Sequence, residues 1–331
     1  MKRLLKSAAG LVAAAALLSA ATPGSAQTVL RFAHDQPVGS MYDAGHEALK
    51  AELAALSGGT LTVEIFPAAQ LGNEVAMIEG MRLGSVDGAV AHVANAATVV
   101  PELALFSVSY LFEDRDHFER VVNDAKLRAR IEELIASKEL GLKLIGFYSA
   151  GVRNIYSRRG PATTPAELAG VKLRVMNNPV EAKIWSTLGA IPTPMNFGEV
   201  YQALQSGVLD AAENSPSVIE SNKHYEAADT IILTEHQRSI ALLLMSEAKF
   251  NALSADQQKS LFEAAEKAAA MERQRDAELN AEAIERMKSR GATIVTPDKA
   301  AFAAMVRPIQ DEVAASLGMT DMLSLIRSHA K

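Results

Sequence analysis

From Ser254 to about Arg290 the chain has neither Gly nor Pro, and it is rich in Ala, Glu, Lys and Arg. Ser254-Ala-Asp-Gln257 supplies a capping start, and Gly291 supplies a stop. Some 35 residues at ~1.5 Å each make a rod roughly 50 Å long. That is the width of a whole molecule of this chain length, so such a helix leans across two lobes. The alternative, a coiled-coil seam between two chains, needs sustained a/d heptads. The apolar face here is mostly Ala.

The rest of the 331 residues must build those lobes. Composition is ordinary for a globular chain, 49% hydrophobic and 22% charged, and the length favours two lobes over one. Residues 1–26 differ. They hold three early cations (Lys2, Arg3, Lys6), a small-residue apolar run from Ser7 to Ala21, and small residues at Gly24 and Ala26. This pattern reads as a secretory signal peptide, with the mature chain expected from Gln27. Removing its cations moves the formal charge from −6 to −9. A mildly acidic exported chain is a poor candidate for nucleic acid or anionic membrane. The absence of Cys removes disulfides, thiolate catalysis and Cys–zinc sites. No later stretch reaches ~18 uninterrupted apolar residues, so a soluble mature chain is expected.

Strand and helix patterns alternate along the chain. Thr28–Ala33, Leu61–Phe66 and Gly88–Ala91 read as strands, with helices at Tyr42–Ser57 and Glu74–Leu83 between them. One longer helix is expected over Arg115–Ser137 and a buried strand over Leu142–Tyr148. A second set follows, with strands at Val152–Ser157, Val171–Val175, Ile191–Met195 and Val208–Ala212. Its helices lie at Val180–Leu188 and Gly198–Ser206, and a capping box starts another at Thr164-Pro165-Ala166-Glu167. A strand at Ala292–Val295 and a helix at Asp298–Leu317 end the chain. Leu83-Gly84-Ser85-Val86-Asp87-Gly88-Ala89 and Ser206-Gly207-Val208-Leu209-Asp210-Ala211-Ala212 occupy the same place in the two sets. In both, Gly stops a helix and Asp sits where a strand starts. The expected fold class is α/β, two-lobed. The first lobe is expected to comprise residues 27–150 plus 240–279, and the second 151–239 plus 280–331.

No catalytic signature is present: no GxSxG elbow, no Gly-rich phosphate loop, no HExxH, and no two His at metal-ligand spacing. The polar candidates lie where strands end, which is where ligands sit in open α/β lobes. They are His34 and Asp35 after the first strand, His92 and Asn95 after the third, Asn177 beyond Arg174, and Glu213 with Asn214. Gln237 precedes a strand at Ser239–Ser246. Each alone is more often a turn former or a solvated residue than a ligand contact. Arg153 and Arg174 form a different case, because both sit on apolar strands of one lobe. A guanidinium fork fits a carboxylate bidentately. Whether that carboxylate belongs to a ligand or to the protein, Glu213 for example, is left open by spacing.

Several runs resemble a known family. They are Lys172-Leu173-Arg174-Val175-Met176, Gly189 to Met195, Phe197-Gly198-Glu199-Val200-Tyr201, Gly207 to Asp210 and Glu213-Asn214. In the first half, Phe66-Pro67, Gln70-Leu71-Gly72, Glu74, Gly84, Asp87, Pro101-Glu102 and Tyr110-Leu111-Phe112 agree. Together they resemble the solute-binding proteins of tripartite ATP-independent periplasmic (TRAP) transporters, of the C4-dicarboxylate-binding type. The resemblance implies a periplasmic-binding-protein fold, with two α/β lobes closing over a small carboxylate ligand and a long hinge-spanning helix. It implies the periplasm as location and the two TRAP membrane subunits as partners. A monomer without cofactor or metal is expected, and no enzyme activity. The Arg of the K-L-R-V motif, here Arg174, would clamp the carboxylate. Arg153 and Asn214 would assist, and Asn177 and Phe197 would line the cleft. Glu74, His34, Asp35 and His92 match first-lobe positions that vary with substrate. His92 replaces the acidic residue of sialic-acid binders, and no Arg or Lys at the matched first-lobe positions would take a second acid group. A polyhydroxy acid, uronate or aldonate, therefore fits better than a C4 dicarboxylate. The alternatives are another organic acid, namely a C4 dicarboxylate or a hydroxy or keto acid, or a periplasmic sensor or enzyme on the same fold.

Overall fold

A computed structural model describes residues 27–330, and the expected signal peptide lies outside the described residues. The first set of elements is β1 (Thr28–Ala33), α1 (Met41–Leu56), β2 (Leu61–Phe66), α2 (Glu74–Leu83), β3 (Gly88–His92) and α3 (Val93–Ala96). The helix expected over Arg115–Ser137 is two helices, α4 (Arg115–Val122) and α5 (Ala125–Ser137). Asp124 causes the break, because its carboxylate accepts the Lys126 amide and caps a new helix start.

The strands expected at Leu142–Tyr148 and Val152–Ser157 are one 16-residue strand, β4 (Leu142–Ser157). The chain continues through β5 (Lys172–Val175), α6 (Pro179–Thr187), β6 (Ile191–Pro194), α7 (Val200–Ser206), β7 (Ala211–Asn214) and α8 (Pro216–Ser221). A second long strand, β8 (Thr230–Ser246), extends well beyond the Ser239–Ser246 expected. It is followed by α9 (Glu247–Asn251), α10 (Ala255–Ser289), β9 (Thr293–Val295), α11 (Lys299–Ser316) and α12 (Thr320–Ser328). Thr164 and Glu167 form the expected capping box, but the helix stops after one 3-10 turn, Pro165–Leu168.

One sheet runs through both lobes in the order β2-β1-β3-β8-β4-β7-β5-β6, with β9 added to β8. The pairs within each set are parallel, and β4 and β8 run antiparallel to each other at the centre. These two long strands cross from lobe to lobe, and their register slips between Ser149 and Val152 and again between Arg153 and Ile155. Gly151 lies inside the first slip at φ +79°, and a Cβ there would stand 2.3 Å from Ser215 Cβ. Only Gly accommodates both conditions.

The repeated Gly-x-x-Asp pattern has the same physical role twice. Gly84 and Gly207 both end their helices in the left-handed conformation, at φ 78° and 79°. Asp87 then accepts the Arg31 amide of β1 at 2.8 Å, and Asp210 accepts the Lys172 amide of β5 at 3.0 Å. Each Asp ties its turn to the backbone of a neighbouring strand, Asp87 to the middle of β1 and Asp210 to the first residue of β5.

Helix α10 has the length expected, 35 residues, and opens with the Ser254–Gln257 capping box. Its buried stripe is Ala264, Ala265, Ala268 and Ala269, which lets α1 and β4 approach closely. Gly45 of α1 is the tightest point. A Cβ there would lie 2.6 Å from the Tyr148 ring and 2.8 Å from Glu272 Cγ. We expect Gly45→Ala to destabilise the protein by about 1–3 kcal/mol through overpacking, read as a lower urea midpoint with unchanged m-value.

Candidate ligand-binding site

The parallel strands of both sets end at one place. Asp35 and Gln36 follow β1, His92 ends β3 and Asn95 follows it, Arg174 comes from β5 and Met176 follows it, and Asn214 ends β7. With Glu74, Tyr42, Arg153 and Phe197 they line one cavity between the lobes. The lobes also touch around it. Asn222 Nδ2 donates to Gln36 Oε1 at 3.2 Å, and Asn178 Nδ2 donates to Ala94 O at 3.3 Å.

The two arginines are not equivalent. Arg153 is buried and forms a bidentate pair with Glu213: Nε donates to Oε2 at 2.5 Å and Nη2 to Oε1 at 2.8 Å. Its Nη1 donates to Asn214 Oδ1 at 3.2 Å. Burial alone would raise the Glu213 pKa, but Arg153 beside it brings it down to about 2. His236 Nε2 stands 3.4 Å from Glu213 on the same side, with its ring edge-on to Trp185. Arg174, only 4% exposed, has no carboxylate within ion-pair distance among the described residues. Its Nε and Nη2 both donate to the Met195 carbonyl, at 2.9 and 2.7 Å. Burial pushes its pKa down, and Glu213 opposes that only at a distance. A buried cation held by one carbonyl dipole favours an anion beside it.

The first-lobe wall is acidic in composition, with carboxyl pKa values raised by burial. Glu74 Oε2 accepts the His92 amide at 2.9 Å and Asn95 Nδ2 at 2.6 Å. Burial, reinforced by Asp35, raises the Glu74 pKa to about 8. Asp35 is also raised, mainly by burial, while Gln36 Nε2 and Arg174 oppose the shift. His92 Nδ1 caps α3 by accepting the Ala94 amide at 3.0 Å. Its Nε2 therefore carries the proton and is buried without a partner among the described residues.

Some expected residues lie elsewhere. His34 is fully buried behind the wall, stacked on His46 at 5.2 Å between ring centroids. Asn177 is exposed, while its neighbour Asn178 is buried and caps α6. Glu213 and Gln237 do not line the cavity. Glu213 acts through Arg153, and Gln237 pairs opposite Arg153 in the sheet register. Tyr42, Gln36 and Met176 line the cavity and were not expected from the sequence. Tyr42 could have been found, because the start of α1 faces the same strand ends as Asp35.

A family model described as bacterial extracellular solute-binding protein, family 7, matches residues 32–317. The chain belongs to this family. It is a TRAP-type solute-binding protein, and its resemblance to solved structures covers both lobes. The 2,3-diketo-L-gulonate-binding periplasmic protein YiaO of Escherichia coli is 33% identical over 292 residues, 87% of each chain. A TRAP periplasmic solute-binding protein of Sulfitobacter sp. NAS-14.1, solved with bound β-D-galacturonate, superposes with a TM-score of 0.85 at 29% identity. That match covers 91% of this chain and 100% of the other. Its counterpart from Chromohalobacter salexigens, solved with D-glucuronate, gives a TM-score of 0.86 at 29% identity, with the same coverage. In this solute-binding protein the Arg153–Glu213 pair has a direct consequence for stability. A depressed carboxylate pKa contributes stability that is complete above the ordinary value of 4.5 and lost as pH falls towards about 2. Glu213→Gln is expected to cost about 3–5 kcal/mol at neutral pH, because it leaves Arg153 buried and unpaired. It should also remove the loss of stability between pH 4.5 and about 2, measured by urea unfolding at a series of pH values.

Proposed function

We propose that this chain is the periplasmic receptor of a TRAP transporter, capturing a sugar acid of the hexuronate type and delivering it unaltered to the two membrane subunits. The observation that carries the reading is Arg174, a buried guanidinium facing the cavity with no carboxylate at ion-pair distance among the described residues. The acid group of the ligand takes that place, with bidentate geometry available from the guanidinium fork. Arg153 and Asn214 assist. Asn214 Oδ1 already accepts the Ser215 amide at 2.8 Å, which leaves its Nδ2 to donate to the ligand.

The opposite wall supports a polyhydroxylated body. Glu74, Asp35, Asn95 and His92 offer both donors and acceptors, and Phe197 offers an apolar face. A second carboxylate would meet Glu74 and Asp35 rather than a cation, which disfavours a C4 dicarboxylate. The described relatives that hold galacturonate and glucuronate support the same class. The lobes are proposed to divide at residue 150 and near 239, where β4 and β8 cross. Closure then follows from ligand contacts made to both sides, since only a difference in affinity between open and closed forms shifts their balance. A monomeric receptor suffices for this role.

Calorimetry with D-galacturonate and D-glucuronate tests the reading. Tight binding of either is expected, with succinate and malate much weaker, and the ligand should be recovered chemically unchanged. Arg174→Ala is expected to weaken binding by ~2–5 kcal/mol, about thirty- to several-thousand-fold in Kd. Unchanged affinity in that variant would remove the carboxylate clamp from the mechanism.

A further inference from the structure

The crossing stretch of β4 serves two cavities. Ala150 and Arg153 face the ligand cleft, whereas Ser149, Val152 and Asn154 line a second cavity of about 310 Å³. Its other walls come from α4, β8 and α10, so it spans the place where the lobes join. Phe118, Leu233 and Ile284 make much of it apolar. Arg238 of β8 projects into it, half-buried, and Arg115 stands at its mouth.

The charges around this cavity are unevenly satisfied. Arg273 is paired with Glu119, at 2.9 Å from Nε to Oε2, and also donates to the Phe147 carbonyl. Glu235 is paired with Lys299 at 3.0 Å. Asp276 accepts from Ser149 Oγ and from Asn280 Nδ2, each at 2.8 Å. Arg238 and Arg115 make no ion pair or side-chain hydrogen bond among the described residues; Glu235, Asp114 and Asp276 act on Arg238 only from beyond ion-pair distance. A half-desolvated guanidinium above an apolar floor has the chemistry of an acid-group receptor, separate from the cleft.

We propose that this cavity is a second binding site, one that takes a small organic monoanion with a compact apolar body. Its acid group pairs with Arg238, with Arg115 at the rim, and its body lies on Phe118, Val152 and Ile284. The walls belong to the strands and helix that must shift when the lobes separate. In the present arrangement the lobes are in contact, through Asn222 and Gln36 for example. An occupant that fits the cavity in this arrangement favours it over an open one and so tightens the cleft for its own ligand. The coupling is reciprocal by thermodynamic linkage.

Phenylacetate is the probe, titrated calorimetrically into the full mature chain. Wild type and Arg174→Ala should bind it equally. Arg238→Gln should weaken it about tenfold or more, by loss of a charge-assisted pair. Ala277→Leu, which fills a half-buried lining position, should abolish binding while melting remains cooperative. Saturating phenylacetate should raise the affinity for galacturonate severalfold, and galacturonate should raise that for phenylacetate by the same factor. No heat of binding in wild type overturns the proposal. So does a probe that competes with galacturonate and is lost in Arg174→Ala but kept in Arg238→Gln. Identical galacturonate affinity with and without the probe overturns the coupling. Probe binding is read directly, so failure of galacturonate to bind would count against the transport ligand and not against this site.

Discussion

One buried carboxylate between two buried guanidiniums sets the chemistry of this molecule. The sheet order β4-β7-β5 places Glu213 of β7 between Arg153 of β4 and Arg174 of β5. A carboxylate has two oxygens, and Arg153 takes both. Arg174 is left with a carbonyl dipole and the cavity. Removing a cation from water without a partner is costly, so the folded protein carries an unmet electrostatic demand at the place where the lobes meet.

The facing wall complements that demand. A second charged group opposite Arg174 would either neutralise it internally or repel a ligand's acid group. Burial raises the pKa of both carboxyls in that wall, Glu74 to about 8. At neutral pH Glu74 then holds a proton and can donate as well as accept, which suits hydroxyls. The backbone of His92 and the Asn95 amide hold Glu74 in place, so the wall is organised before any ligand arrives.

The hinge links this chemistry to motion. Strands β4 and β8 are paired along most of their lengths, but their register slips where they cross between the lobes. The bulge beside Gly151 lies between Ala150 and Arg153 on the cleft side and Ser149 and Val152 on the other. Helix α10 packs against that second side. A change of lobe angle therefore alters both cavities together, since a close-packed interior transmits displacement and does not absorb it.

Much of this was legible from local chemistry. The alternation of strand and helix, the two Gly-x-x-Asp turns and the 35-residue helix follow from periodicity, capping and the absence of breakers, all of which act over a few residues. Arg174 is legible as a cation on an apolar strand, and the family pattern implies a carboxylate-binding role for it. Elements set by distant partners were less legible. The Leu142–Tyr148 and Val152–Ser157 segments proved to be one strand because β8 pairs with both. Asn177 and Asn178 differ in exposure because α6 takes its cap from the second. His34 turned inward to stack on His46, away from the wall expected of it. By itself, then, the sequence determined the alternation of strand and helix, the family pattern and the presence of two arginines on apolar strands. The tertiary structure alone decided which arginine the protein neutralises, because that depends on the order of strands in the sheet and on which side chains reach one carboxylate through space.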